Sequence, residues 1–98
     1  MKVRWTNEAL DRLVEIEDFI AQDNPRRARR FVTALIEEGE SLSKSPRRGR
    51  TVPEISSPEI REVIVRNYRV VYRLQPGHIE ILTVFEGHRQ LRSDEIEE

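Results

Sequence analysis

Three runs rich in β-branched and aromatic residues, 60–66, 68–74 and 79–85, are separated only by Arg66-Asn67 and by Gln75-Pro76-Gly77-His78. Residues of these types favour extended, pleated backbone. Proline at the second and glycine at the third place of the second connector fit a type II turn. Connectors this short join only antiparallel neighbours, so the expected unit is a three-stranded meander. On its middle run Tyr68, Val70, Tyr72 and Leu74 share one face, and Arg69, Val71 and Arg73 share the other. A meander must bury at least one face, and the rest of the chain has to supply the cover.

That cover is read from the N-terminal half. Residues 2–6 alternate Val3 and Trp5 with Lys2 and Arg4, the pattern of a short half-buried strand. Thr6 or Asn7 can cap a helix with Glu8 in its first turn. Ala9, Leu13, Ile16 and Ile20 form its apolar stripe, widened by Leu10 and Val14. Asp23-Asn24-Pro25 ends that helix, and Asn24 and Pro25 serve as cap and first residue of a second. The second helix presents Ala28, Phe31, Val32, Leu35, Ile36 and Leu42. Gly39 interrupts it at a cost of about 1 kcal/mol relative to alanine, which close helix packing would explain. Arg26, Arg27, Arg29 and Arg30 crowd its start and Glu37, Glu38 and Glu40 its end, both against the helix dipole. The expected compensation is pairing of these arginines with the acids of the first helix; binding of a partner is the alternative. Residues 45–50 read as a loop and 51–58, with two prolines, as an irregular extended segment.

The order β-α-α-β-β-β predicts an α+β domain, with a helical hairpin packed on one face of a small twisted antiparallel sheet. Residues 1–92 are expected to form this single domain and 93–98 an acidic flexible tail. The chain has 98 residues, 37% hydrophobic and 36% charged, so a thin core and an ionic surface are expected. There is no cysteine, no signal-peptide pattern and no apolar run near the roughly 18–20 residues that span a bilayer. A cytoplasmic protein without membrane contact is the expectation. The net charge of −1 conceals an asymmetry. Residues 7–24 hold six acids against Arg12 alone, and residues 46–92 hold nine arginines against five glutamates.

No phosphate-binding glycine loop or zinc motif occurs, and His78 and His88 alone make no metal site, so neither cofactor nor metal is expected. Arg50, Arg61, Arg69, Arg73, His88 and Arg89 are expected on an open basic face of the sheet. Within that set Glu54, Arg61, Arg69 and His88 have the chemistry to cleave RNA through its own 2′-hydroxyl. A glutamate takes the proton, arginines hold the phosphorane, and a histidine protonates the leaving oxygen. The competing expectation is structural: Glu54 pairs with an arginine, and sheet arginines are satisfied by cross-strand Glu62 or Glu80.

Several of these pieces occur together in a recognisable order: Trp5-Thr6, the Asn24-Pro25 break, and Pro46 leading to Gly49-Arg50-x-Val52-Pro53-Glu54. Ile60-Arg61-Glu62, Tyr68-Arg69-Val70-Val71-Tyr72-Arg73 and Val84-x-x-Gly87-His88-Arg89 complete it. The chain thereby resembles toxins of the RelE/ParE superfamily of type II toxin–antitoxin systems, the plasmid-stabilisation family, over essentially its whole length. The resemblance implies a growth-inhibiting toxin neutralised by a cognate antitoxin whose C-terminal segment folds on it. Leu10, Val14, Arg26 and Arg30 are the expected antitoxin contacts. Long helices split by Asn-Pro are more similar to the ParE branch, which poisons DNA gyrase by binding. The alternative is the RelE/YoeB branch, ribosome-dependent mRNA endonucleases whose glutamate, arginines and histidine would fall on Glu54, Arg61, Arg69 and His88. Against that alternative stand the missing C-terminal tyrosine, the acidic tail and a near-neutral balance unsuited to ribosomal RNA.

Overall fold

A computed structural model describes residues 1–87. These residues form β1 (Lys2–Trp5), α1 (Asn7–Ala21), α2 (Pro25–Ser41), β2 (Arg50–Thr51), β3 (Ile60–Val65), β4 (Tyr68–Gln75) and β5 (His78–Glu86). One five-stranded sheet runs β1-β5-β4-β3-β2, and the helical hairpin packs on one face of it, as expected for this α+β order. His88, Arg89 and the acidic tail lie outside the described residues. Among those described, no helix is long and apolar enough to cross a membrane.

The meander is antiparallel because its turns are two residues long. Gly77 adopts φ +79°, the value that a type II turn requires at its third position. β1 then joins the free edge of β5 in parallel, with Lys2 opposite His78 and Trp5 opposite Ile81, so the sheet is mixed. Thr6 ties that strand to its helix: its hydroxyl donates to the Ile81 carbonyl at 2.9 Å and accepts from the Ala9 N–H at 3.1 Å. Asn24 caps α2 by accepting from the Arg27 N–H at 3.1 Å. The segment expected to be irregular starts with an extra strand, since Arg50 and Thr51 pair with Glu62 and Arg61.

The main core lies between the helices and the sheet. Ala9, Leu13 and Ile16 of α1 and Phe31, Val32 and Leu35 of α2 meet Val70, Tyr72, Ile79, Ile81 and Val84. Ile36, placed on the buried stripe by its spacing, is instead exposed. Gly39 answers to a strand and not to a helix: a Cβ there would lie 2.7 Å from the Trp5 ring. The Trp5 indole N–H donates to Glu40 at 2.8 Å, which fixes the ring over that glycine.

A second, smaller core occupies the opposite face. Val71, Leu82, Phe85 and Ile60 are covered there by Val52 and Ile55. A register shift between Val71 and Tyr72 leaves Leu82 between Ile81 and Thr83 without a direct partner, as in a β-bulge. The expected open basic face is therefore closed. A sheet carrying Val71, Leu82 and Phe85 on its second face exposes too much apolar surface to stay bare, and the segment 52–58 straps across it.

Candidate functional site

The position of each candidate side chain follows from the β3–β4 turn. Val65 pairs with Tyr68, which sets Arg61 opposite Tyr72, Glu62 opposite Val71, Ile64 opposite Arg69 and Ile60 opposite Arg73. Cross-strand partners share a face. Tyr72 belongs to the helix-side core and Val71 to the strap-side core. Arg61 thus points to the helix side, while Glu62, Arg69 and Arg73 point to the strap.

On the strap side the charges are paired. The Arg69 side chain is 5% exposed, and its Nε donates to Glu62 at 2.6 Å. Its two terminal nitrogens donate to the two oxygens of Glu54 at 2.9 and 2.8 Å, a bidentate fork. The Phe85 ring lies under the guanidinium, 5.0 Å from the ring centre. The second oxygen of Glu62, whose side chain is fully buried, accepts from Arg50 Nε at 2.7 Å. Bonds from Glu54 and then Glu62 raise the Arg69 pKa above its ordinary value, against the opposing effect of burial. Arg73 is buried as well, 3.9 Å from Glu80. Arg69 and Arg73, expected on an open face, are buried on the strap side, paired with Glu54 and Glu62 and with Glu80. Buried guanidinium groups require carboxylates, and both strands supply them.

On the helix side, Arg61 donates to the Gly49 carbonyl at 2.9 Å, and its Nε is buried without a hydrogen-bond partner. Tyr72 pins the same loop, donating to the Pro46 carbonyl at 2.7 Å and accepting from the Gly49 N–H at 3.0 Å. Burial pushes its phenol pKa up, although the Gly49 bond and nearby arginines pull the other way. A Cβ on Gly49 would sit 2.6 Å from both the Glu62 carbonyl and the Tyr72 hydroxyl, so close approach of chains requires glycine there.

Of the four residues with nuclease chemistry, the fold brings Glu54 and Arg69 together and puts Arg61 on the other side of the sheet. His88 lies outside the described residues, as does Arg89. Both oxygens of Glu54 accept from Arg69, which fixes the carboxylate against the strap-side face of the sheet. The arrangement is suited to fastening a strap. Glu62 is the member the sequence reading treated only as a possible neighbour; counting back from a two-residue turn at Arg66-Asn67 identifies it. No group of three His, Asp or Glu side chains that could hold a metal ion occurs among the described residues.

The other expected contact residues are on the helices. Leu10 and Val14 are 46% and 58% exposed, and Arg26 and Arg30 are exposed too. The predicted pairing of α2 arginines with α1 acids is not found: Arg12 takes up Glu8 and Glu15 within α1, and no ion pair among the described residues joins the two helices. The core stripes set the helix rotation, and they turn these arginines outward. Arg30 instead borders a groove of about 460 Å³ at the closed end of the hairpin, beside the turn between α1 and α2. Phe19, Ile20, Phe31 and Tyr68 line it, together with Arg27 and Arg66.

Over residues 3–91 the sequence matches the family described as the ParE toxin of the type II toxin–antitoxin system parDE. The chain belongs to this toxin family. The toxin is 36% identical over 91 residues to the candidate toxin Y4kP of Sinorhizobium fredii, covering 91% of each chain. It is 33% identical over 84 residues to Toxin RelE2 of Caulobacter vibrioides, covering 85% of this chain and 91% of that one. Its fold is similar to a chain of the chromosomal ParDE system of P. aeruginosa, with a TM-score of 0.74, 22% identity and coverage of 88% and 95%. A chain of the RelBE2 toxin–antitoxin complex of Mycobacterium tuberculosis gives a TM-score of 0.64 at 23% identity, covering 87% of the toxin and 88% of that chain. Names from both branches of the superfamily thus occur among chains of this shape.

Proposed function

We propose that this toxin arrests growth in the cytoplasm by binding DNA gyrase, without cutting nucleic acid, and that a cognate antitoxin neutralises it. The observation that carries this reading is the division of the candidate residues by the sheet. Cleavage through a 2′-hydroxyl needs base, cations and acid gathered around one phosphate, and groups on opposite faces of a sheet cannot reach the same one. Arg69 is consumed by Glu54 and Glu62, and Arg61 faces the other way. A binding toxin has no such requirement and can use the surface alone. Arg50, whose side chain is 62% exposed at the outer end of the buried cluster, is the target contact favoured on strap-side geometry. In this reading Leu10 and Val14 give the antitoxin apolar anchors, and Arg26 and Arg30 give it charged ones. Retention of a plasmid or chromosomal locus follows from the pairing of toxin and antitoxin.

The alternative, ribosome-dependent mRNA cleavage by Glu54, Arg61, Arg69 and His88, draws on the contact between Glu54 and Arg69. Purified toxin in a gyrase supercoiling assay, run beside a cleavage assay on translating ribosomes, separates the two. Inhibited supercoiling or trapped cleaved DNA with intact message is expected. Cut message with gyrase untouched overturns the binding reading.

A further inference from the structure

We infer that the groove beside the hairpin turn is covered by the chain's own acidic segment, residues 93–98, with Ile96 supplying an apolar contact and four carboxylates the ionic ones. This contact depends on neither the target nor the antitoxin proposed above. The groove leaves apolar surface bare. Phe19 is 69% exposed, more than any other large hydrophobic residue among those described. It lines the groove with Phe31 and Tyr68, whose rings are 5.2 Å apart and mostly buried. A second hollow of about 330 Å³, lined in part by Ile16 and Val84, continues the same surface around Phe19. An exposed apolar patch of this kind marks a contact surface.

The charge around that patch selects an acidic cover. Arg27, Arg30 and Arg66 line the groove, against Glu86 as its acid. Among the described residues none of the three arginines takes part in an ion pair. Arg27 and Arg30 also sit at the start of α2, against its dipole, so carboxylates placed there relieve repulsion as well as match the forked guanidinium groups.

The path of the chain brings such a segment to the spot. β5 ends at Glu86, and the Gly87 N–H donates to the Asn67 carbonyl; Glu86 and Asn67 both line the groove. Residues 88–92 extend by at most about 3.5 Å each, roughly 17 Å together, which is enough to carry Ser93 across it. Ser93-Asp94-Glu95-Ile96-Glu97-Glu98 then offers four carboxylates around one apolar side chain. A tether of that length gives an effective concentration on the order of millimolar, so a contact too weak for a separate peptide is populated within the chain. The family match ends at residue 91, and the acidic segment lies beyond the stretch the family shares. Arg30 is also a proposed antitoxin contact, so segment and antitoxin compete for that cation, whereas Leu10 and Val14 stay clear of the groove.

The test uses the full chain. The sequence has no cysteine, so Ser93→Cys gives a single site for a nitroxide label, whose broadening of backbone amide signals is read by nuclear magnetic resonance. At low salt, broadening is expected at the groove residues Phe19, Arg27, Arg30 and Ala34. It is largely lost at high salt and in Asp94→Asn/Glu95→Gln/Glu97→Gln/Glu98→Gln, and it is reduced by Ile96→Ser. Arg27→Glu/Arg30→Glu, which replaces exposed side chains, also loses it, and adding Glu95→Lys/Glu97→Lys restores it. Thermal melts verify that each variant is folded. Broadening that neither salt nor neutralisation of the four acids changes reports only the reach of a tether, and overturns the proposal. So does broadening that appears only when spin-labelled copies are mixed with unlabelled, isotope-enriched ones, since the contact then belongs to a second copy.

Discussion

Replacing Arg69 by methionine tests whether the buried ionic cluster holds the strap. Methionine keeps much of the side-chain volume against Phe85 but removes the charge and, among the described residues, one hydrogen bond to Glu62 and two to Glu54. Glu62, with a fully buried side chain, is left with the largely exposed Arg50 as its ion-pair partner. Breaking a buried pair by removing one member costs about 3–5 kcal/mol. A domain of this kind is stable by about 5–15 kcal/mol, so a large fraction is lost. At about 4–8 °C per kcal/mol for a domain of this size, the midpoint falls by at least roughly 12 °C. Arg69 itself adds no pH dependence near neutrality. Its pKa is raised in the fold, so its contribution is complete below the ordinary arginine range and is lost only at still higher pH.

In the variant the cost is the buried charge that Glu62 keeps after losing Arg69. The triple variant Arg69→Met/Glu54→Gln/Glu62→Gln recovers part of the loss for the same reason. Circular dichroism melts at several pH values, with hydrogen exchange on Val52 and Ile55 as a local readout, measure all of this. An Arg69→Met protein within about 1 kcal/mol of the parent, or a triple variant less stable than the single one, refutes the reasoning.

Three further outcomes are expected. Gly49→Ala drives a methyl group against the Glu62 carbonyl and the Tyr72 hydroxyl, and overpacking of this kind costs about 1–3 kcal/mol, read as a lowered urea midpoint. Burial raises the pKa of both Tyr68 and Tyr72, so an ultraviolet titration shows both phenols ionising above their ordinary value of 10.0. Because these folded values exceed the unfolded ones, their stabilising effect is complete below the unfolded pKa and declines as pH rises through the folded one. Tyr72→Phe reduces that decline and costs about 1–3 kcal/mol, since the Gly49 N–H and Pro46 carbonyl lose their partner.

What was legible in the sequence is local, or one turn away from local. Thr6, Asn24 and Pro25 mark the helix starts, and Pro76-Gly77 marks a turn, because caps and turns depend on a few adjacent dihedrals and side chains. The pairing of Arg69 and Arg73 with Glu62 and Glu80 was within reach for the same reason, since short turns dictate which residues face each other. The separation of Arg61 from Arg69 follows from that register too, yet it shows only when the pairing is counted residue by residue.

Other features were decided by contacts distant along the chain. Nothing near Val52 and Ile55 indicates that they cover Phe85; that depends on how much apolar surface the second sheet face leaves bare. The helix arginines read as partners for the acids of α1, but helix rotation is set by burying Phe31, Val32 and Leu35. An exposed ion pair contributes about 0.2–1 kcal/mol, whereas each buried aliphatic or aromatic side chain contributes about 1.5–3 kcal/mol. By itself, then, the sequence determined the elements, their ends and the pairing of the meander. Only the tertiary structure decided which charges would be spent inside and which left at the surface, because burial outweighs surface charge pairing wherever the two compete.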